Sequence, residues 1–304
     1  MSDPVPTDRV SRADRDLRRR RRRRRGLRRL ALLVAAVAAP AATAAILVTH
    51  ADGDAESSAV AGSPRSAAPS PPPVWVATAA RPVRVWIGGD SLAGEVVWGL
   101  SPLLDESGAF RMRSFYKESS GICRYDYFDW RRKVASVMRA AKPDAVVFMV
   151  GTNDTQSLWT AGGWIHYGTS AWKTAYGRRV TRLMDTMLDG GARRVYWIGM
   201  PIMRDTWRNP RMRVITRVAA AQAEERPGVR FVDIWALFAN GDGRYVARWR
   251  GPDGVHFSLS GARRLCKRVY RFIEADWLPP AASPSPSASP SPSGSASASG
   301  SPPA

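Results

Sequence analysis

The chain has 304 residues, a formal net charge of +20 and two cysteines, Cys123 and Cys266. Composition shifts at both ends leave about 200 residues for one folded domain, enough for a core without disulfides or metals. No CxxC pair or Cys/His cluster is present, which argues against a metal site. The two cysteines leave open one extracellular disulfide or two separate buried thiols.

Much of the charge lies in an unbroken arginine run, Arg18 to Arg25, followed by Arg28 and Arg29. Alone, such a run could bind nucleic acid. From Leu30 to Val48, however, no residue is charged and almost all are apolar. A helix of that length reaches about 28 Å, close to the thickness of a bilayer's hydrocarbon core. Arginines preceding an apolar span stay on the cytoplasmic side. The expected layout is a basic cytoplasmic stretch (1–29), a transmembrane anchor or signal peptide (30–48), and everything after it outside the cell. The partner of the N-terminal segment is then the membrane, not nucleic acid. Pro40 and Ala42-Thr43-Ala44 fit a cleavage site, which would give a secreted protein. Ile46-Leu47-Val48 prolongs the apolar run and favours a retained single-pass anchor.

Residues 49–81, rich in Ala, Ser and Pro, read as a linker, and residues 279–304 read as a disordered tail. Between them, over 82–278, strand and helix patterns alternate. Val83 to Ile87 predicts a strand ended by Gly88-Gly89, and Leu92 to Leu104 a helix. Phe110 to Phe115 predicts a second strand, and Trp130 to Ala141 a helix. Ala145 to Val150 is a continuous apolar run, as for a strand covered on both faces. Trp172 to Leu188 predicts an amphipathic helix stopped by Gly190-Gly191. Val195 to Ile198 predicts a strand, Arg211 to Glu225 a helix, Val229 to Trp235 a strand. Ser258 to Trp277 predicts the last helix, with Ser258 as N-cap. This alternation predicts an α/β fold: a flavodoxin-like three-layer α/β/α sandwich on a five-stranded parallel sheet. In such sheets chemistry gathers beyond the carboxyl ends of the strands.

Three motifs fall there. Gly89-Asp90-Ser91-Leu92 follows the first strand and puts a serine where a helix begins; a serine there is a nucleophile or simply an N-cap. Gly151-Thr152-Asn153-Asp154 follows the third strand; Asn153 can offer its amide NH₂ to an oxyanion or cap a turn. Asp253-Gly254-Val255-His256 follows the fifth. A serine hydroxyl needs a base, histidine is suited to that task near neutral pH, and the histidine needs an acceptor to orient it. The remaining histidines are poorly placed: His50 lies beside the apolar segment and His166 in a loop.

Taken together and in this order, the motifs resemble those of the SGNH/GDSL hydrolase superfamily, over about residues 82 to 278. Its second block needs a glycine after the second strand, for which Ser119-Ser120-Gly121 is the natural candidate. The resemblance implies a hydrolase domain acting on carboxylic esters, with Ser91, His256 and Asp253 as triad. It also implies an oxyanion hole of the Ser91 and Gly121 N–H groups and the Asn153 side chain. No cofactor or metal is required. Asp90 and Asp154 are assigned to turn and loop structure. The expected partner is an ester substrate, in particular an O-acetylated wall or capsular polysaccharide or peptidoglycan, with Trp159, Trp164, Tyr167, Trp172, Trp207 and Trp249 available either to stack on sugar rings or to pack a lid. Two alternatives use the same sequence: an O-acyltransferase acting on a cell-surface glycan, and a catalytically silent carbohydrate-binding module.

Overall fold

The computed structural model describes residues 70–279. The apolar segment 30–48, the arginine run and the tail lie outside the described residues. Within them, no helix is long and apolar enough to cross a membrane.

Five parallel strands form the central sheet. They are β1 (Val83–Gly89), β2 (Phe110–Tyr116), β3 (Ala145–Met149), and two more whose numbers follow a short hairpin: β6 (Arg194–Ile198) and β7 (Val229–Val232). The hairpin is β4 (Leu158–Thr160) with β5 (Gly163–Ile165). The sheet order is β2-β1-β3-β6-β7. Every residue of β3 and β6 is buried, so their apolar runs are those of strands covered on both faces. The edge strand β2 alternates and carries Arg111 and Arg113.

The helices are α1 (Ser91–Glu106), α2 (Trp130–Ala141), α3 (Ser170–Asp189), α4 (Asn209–Glu224) and α5 (Leu259–Trp277). α1 packs on α5, α2 on α3, and α3 on α4, which makes the three-layer sandwich expected from the alternation. Ser258 caps α5 through a bond from the Gly261 N–H (3.2 Å), as anticipated. Four tryptophans, Trp130, Trp172, Trp197 and Trp277, are wholly buried and supply much of the core volume.

Three features depart from the sequence expectation, one of them the β4–β5 hairpin, which the sequence did not suggest. The last strand ends at Val232, and Trp235–Phe238 forms a 3₁₀ turn begun by an Asx bond from the Trp235 N–H to Asp233 (2.9 Å). The residues preceding β1, which composition places in the linker, lie on the domain. Trp75 meets Trp277 edge to face at 5.1 Å, the Ala77 N–H donates to the Trp277 carbonyl (2.7 Å), and Arg194 donates to the Pro72 carbonyl (2.7 Å).

The strand order reverses between β1 and β3. Their carboxyl ends therefore border the crevice where doubly wound sheets bind ligands. Both the Gly-Asp-Ser and the Gly-Thr-Asn-Asp loops leave the sheet there.

Candidate active site

The turn after β1 requires glycine. Gly89 has φ +146°, and a Cβ on it would lie 1.8 Å from the Met149 carbonyl oxygen of the neighbouring strand. Asp90 follows, fully buried. Its carboxylate accepts from the Leu92 N–H (3.1 Å), capping α1, and from the Gly151 and Thr152 N–H groups (both 3.1 Å). One side chain thus starts the helix and ties the first motif to the third. Burial pushes Asp90 up to about 6 even though three backbone donors pull the other way. Because Asp90 is the cap, Ser91 is not. It is the first residue of α1, and within the described residues its hydroxyl makes no hydrogen bond, to His256 or to any other group. Its N–H is likewise unengaged, at the positive end of the helix.

The loop after β2 is bound to the loop after β3. Asn153 donates through Nδ2 to the Ser120 carbonyl (2.9 Å). An amide nitrogen carries two N–H groups, so one remains for another acceptor. Asp154, fully buried, accepts from the Ile122 N–H (3.0 Å), the Cys123 N–H (2.8 Å) and the Tyr176 hydroxyl (2.9 Å). Burial raises its carboxyl above the ordinary range despite these donors. Gly121 is buried against that carboxylate: a Cβ would lie 2.2 Å from Asp154 Oδ1. No hydrogen bond among the described residues uses the Gly121 N–H. The glycine of the second block is therefore demanded by packing. Gly121→Ala is expected to displace the Asp154 carboxylate and destabilise the domain by about 1–3 kcal/mol, the usual range for overpacking. Urea unfolding at 25 °C measures this, and an unmoved midpoint would contradict the packing argument.

After β7 the chain passes through the 3₁₀ turn and reaches Asp253. Asp253 Oδ1 accepts from the Val255 N–H (2.9 Å) and the His256 N–H (3.0 Å), while Oδ2 lies 2.5 Å from His256 Nδ1. Gly254, at φ +73°, makes the bend. Partial burial pushes Asp253 up, but the His256 hydrogen bond and the two backbone donors outweigh it and bring it down to about 2. An ionised carboxylate only accepts, so Nδ1 carries the proton and Nε2 of the neutral ring is left as a base. The side chains of His256 and Asp253 are 42% and 49% exposed, so the dyad faces open solvent. The loop also rests on Arg204, beyond β6, which donates through Nη1 to the Pro252 carbonyl (2.6 Å).

The sequence did not single out Glu95. It lies one helical turn after Ser91, and its Oε2 accepts from the Phe257 N–H (3.0 Å), the residue next to His256. Its signal in the sequence is slight: it is the one charge in the otherwise apolar first half of α1.

Trp207 is exposed beside Arg211 and Trp249 is half-buried beside Arg264, while the other four aromatic residues divide into two groups. Trp172 is buried, stacks on Tyr176 at 4.7 Å and donates to the Gln156 carbonyl (2.9 Å); Tyr167 packs edge to face against it at 4.6 Å. These are packing groups. Trp159 and Trp164 are cross-strand partners in the β4–β5 hairpin, 59% and 65% exposed, with ring centroids 5.3 Å apart. The hairpin borders a cavity of about 460 Å³, whose wall includes Cys123, Tyr125, Gln156 and Arg179. Cys123 and Cys266 are both free and buried. Burial pushes Cys266 up to about 12 and Cys123 well above the ordinary thiol range, so neither is a thiolate nucleophile.

A doubly wound five-stranded sheet with these motif loops on its carboxyl edge is the arrangement of the SGNH/GDSL hydrolase superfamily that the sequence blocks resemble. Residues 84–271 match the model of a family described as "Protein of unknown function (DUF459)", which spans more than half of the chain, and the chain belongs to that family. No curated protein matches it in sequence. Solved structures similar to it include a GDSL-like lipase from Bacteroides thetaiotaomicron, at 17% identity over 63% of this chain and 88% of that one, TM-score 0.46. Another is the psychrotrophic esterase EstA from a Pseudoalteromonas species, inhibited by monoethylphosphonate, at 14% identity over 63% of this chain and 97% of that one, TM-score 0.47.

Proposed function

We propose that the protein is a serine esterase working outside the cytoplasm, with Ser91 as nucleophile and His256 and Asp253 as its base and orienting acid. The observation that carries this reading is the division of labour at the start of α1. Asp90 caps the helix, which leaves the Ser91 hydroxyl uncommitted, on the same sheet edge as an imidazole whose Nδ1 is already held by a carboxylate. His256 Nε2 takes the proton of Ser91 as the hydroxyl attacks an ester carbonyl. The oxyanion accepts from the N–H groups of Ser91 and Gly121 and from the spare N–H of Asn153. His256 then protonates the leaving alcohol, and water, deprotonated by the same imidazole, releases the acid and frees Ser91. No Ser91–His256 hydrogen bond is present among the described residues, and the proposed mechanism has it form when substrate binds. The imidazole is on a half-exposed loop, and catalytic hydrogen bonds tighten in the Michaelis complex.

The favoured substrate is an acetyl ester on a wall or capsular glycan. An open dyad admits a polymer, and the two exposed tryptophans of the hairpin offer flat apolar faces for sugar rings beside the loops of Gly121 and Asn153. Export rests on the arginine run followed by the apolar segment, which together anchor the domain outside the membrane or lead to its secretion. The double variant Trp159→Ala/Trp164→Ala is expected to raise KM for acetylated polysaccharide about tenfold, the ratio given by a loss of ~1.4 kcal/mol of contact. Turnover of a small aryl acetate should change little. Equal loss on both substrates would count against the glycan subsite.

The full chain should release free acetate from O-acetylated polysaccharide. With an added sugar acceptor, transfer of the acyl group to that acceptor in place of water would establish the acyltransferase reading. Binding of the glycan without acetate release or transfer would establish a silent module.

A further inference from the structure

Ser91 and Glu95 are four residues apart on α1 and so share one face of the helix. His256 and Phe257 belong to a loop that reaches this face from the far end of the chain. The only hydrogen bond recorded between α1 and this loop, among the described residues, is the one from the Phe257 N–H to Glu95 Oε2, 3.0 Å long across 162 positions. We propose that Glu95 is a positioning residue, a carboxylate strut that sets the His256 loop at working distance from Ser91. This rests on the esterase reading above and adds a member to its site.

The loop is also braced on its other sides. The Gly251 N–H donates to the His256 carbonyl (2.7 Å), and the Gly254 N–H to that of Gly251 (3.0 Å). Arg250, 5% exposed, lies behind the loop, its guanidinium carbon 4.5 Å from the Phe257 ring centroid and its Nη2 bonded to the Val255 carbonyl. Its Nε and Nη1 are buried without hydrogen-bond partners among the described residues. Burial drives Arg250 down to about 10, so it stays charged at neutral pH. The charged and titratable groups facing Glu95 are Arg250, Asp253 and His256 from the loop and Cys266 from α5. Burial raises Glu95 to about 7; the Phe257 N–H, His256 and Arg250 pull it down, and Asp253 pushes it up. The carboxylate therefore ionises in the range where the imidazole must be neutral. Ionised, it is a stronger acceptor for the Phe257 N–H and also an anion beside the imidazole.

The test uses the full chain as wild type, Glu95→Gln and Glu95→Ala. Folding is checked by circular dichroism, and kcat and KM for an aryl acetate and the rate of labelling by a fluorophosphonate probe are followed from pH 5 to 9. Glu95→Ala removes the acceptor and is expected to lower kcat by about 10- to 100-fold, as misplacement of a catalytic group does, with KM little changed. Glu95→Gln keeps an oxygen acceptor and should recover most of that loss. Glu95→Gln also removes a carboxyl that ionises at about 7 and strengthens as an acceptor when it does, so the acid limb of kcat/KM should move to lower pH. Wild-type kcat and pH profile in a folded Glu95→Ala would overturn the proposal. Should that variant fail to fold, an unmoved acid limb in Glu95→Gln would overturn it. A wild type that neither turns over nor labels would instead overturn the esterase reading itself, whereas normal labelling of both wild type and Glu95→Ala would sink the strut alone.

Discussion

Ser91→Ala is expected to fold like the wild type and to lose turnover of an aryl acetate by about 10⁴-fold or more, the scale on which a nucleophilic triad contributes. The two halves of this expectation have separate grounds. The loss follows from the role proposed for the hydroxyl, attack on the ester carbonyl. The unchanged stability follows from Asp90 being the cap of α1, so that a methyl at position 91 costs the helix no hydrogen bond. If the hydroxyl were a capping group, alanine would cost about 1 kcal/mol and leave activity alone. A thermal melt alongside the kinetics therefore separates nucleophile from cap. His256→Ala should be as inactive, and the double variant no worse than either single one, because the two residues act as a unit.

Asn153→Ala should lower kcat by about 10²–10³-fold with little effect on KM, since an oxyanion donor works mainly in the transition state. The geometry explains the size. The Ser120 carbonyl fixes the Asn153 amide through one N–H, so the other is aimed before substrate arrives and costs no ordering later. Asn153→Asp should be at least as damaging, because a carboxylate offers no donor and repels the developing charge. If kcat stayed within about threefold of wild type in both variants, the oxyanion would have to be held by backbone N–H groups alone.

Much of this was readable from the sequence, and the rest was hidden for definable reasons. The inner strands β1, β3 and β6 announced themselves as β-branched or largely apolar runs, as strands covered on both faces do, whereas the edge strands β2 and β7 interrupt theirs with Arg111, Arg113 and Arg230. The helix ends at Ser258 and Gly190 were marked by a capping serine and a glycine pair. The β4–β5 hairpin was missed: its strands are three residues each, too short to show a period of two, and both tryptophans face outward. Ser91, Asn153, Asp253 and His256 could be proposed from the sequence because their spacing to strand ends is local. Asp90 and Asp154 were read as loop aspartates, which they are, but their bonds across loops were not visible, because sequence periodicity carries no record of hydrogen bonds between distant segments. Glu95 was overlooked for the same reason, since its partner lies 162 positions away. Tyr167 and Trp172 could not be told from Trp159 and Trp164 until burial separated them.

The most direct test of the account is covalent. The full-length protein, treated with a fluorophosphonate at neutral pH and digested, should yield one modified peptide with the adduct on Ser91. His256→Ala under the same conditions should yield almost none. An adduct on a different hydroxyl, or equal labelling of Ser91 with and without the imidazole of His256, would contradict it.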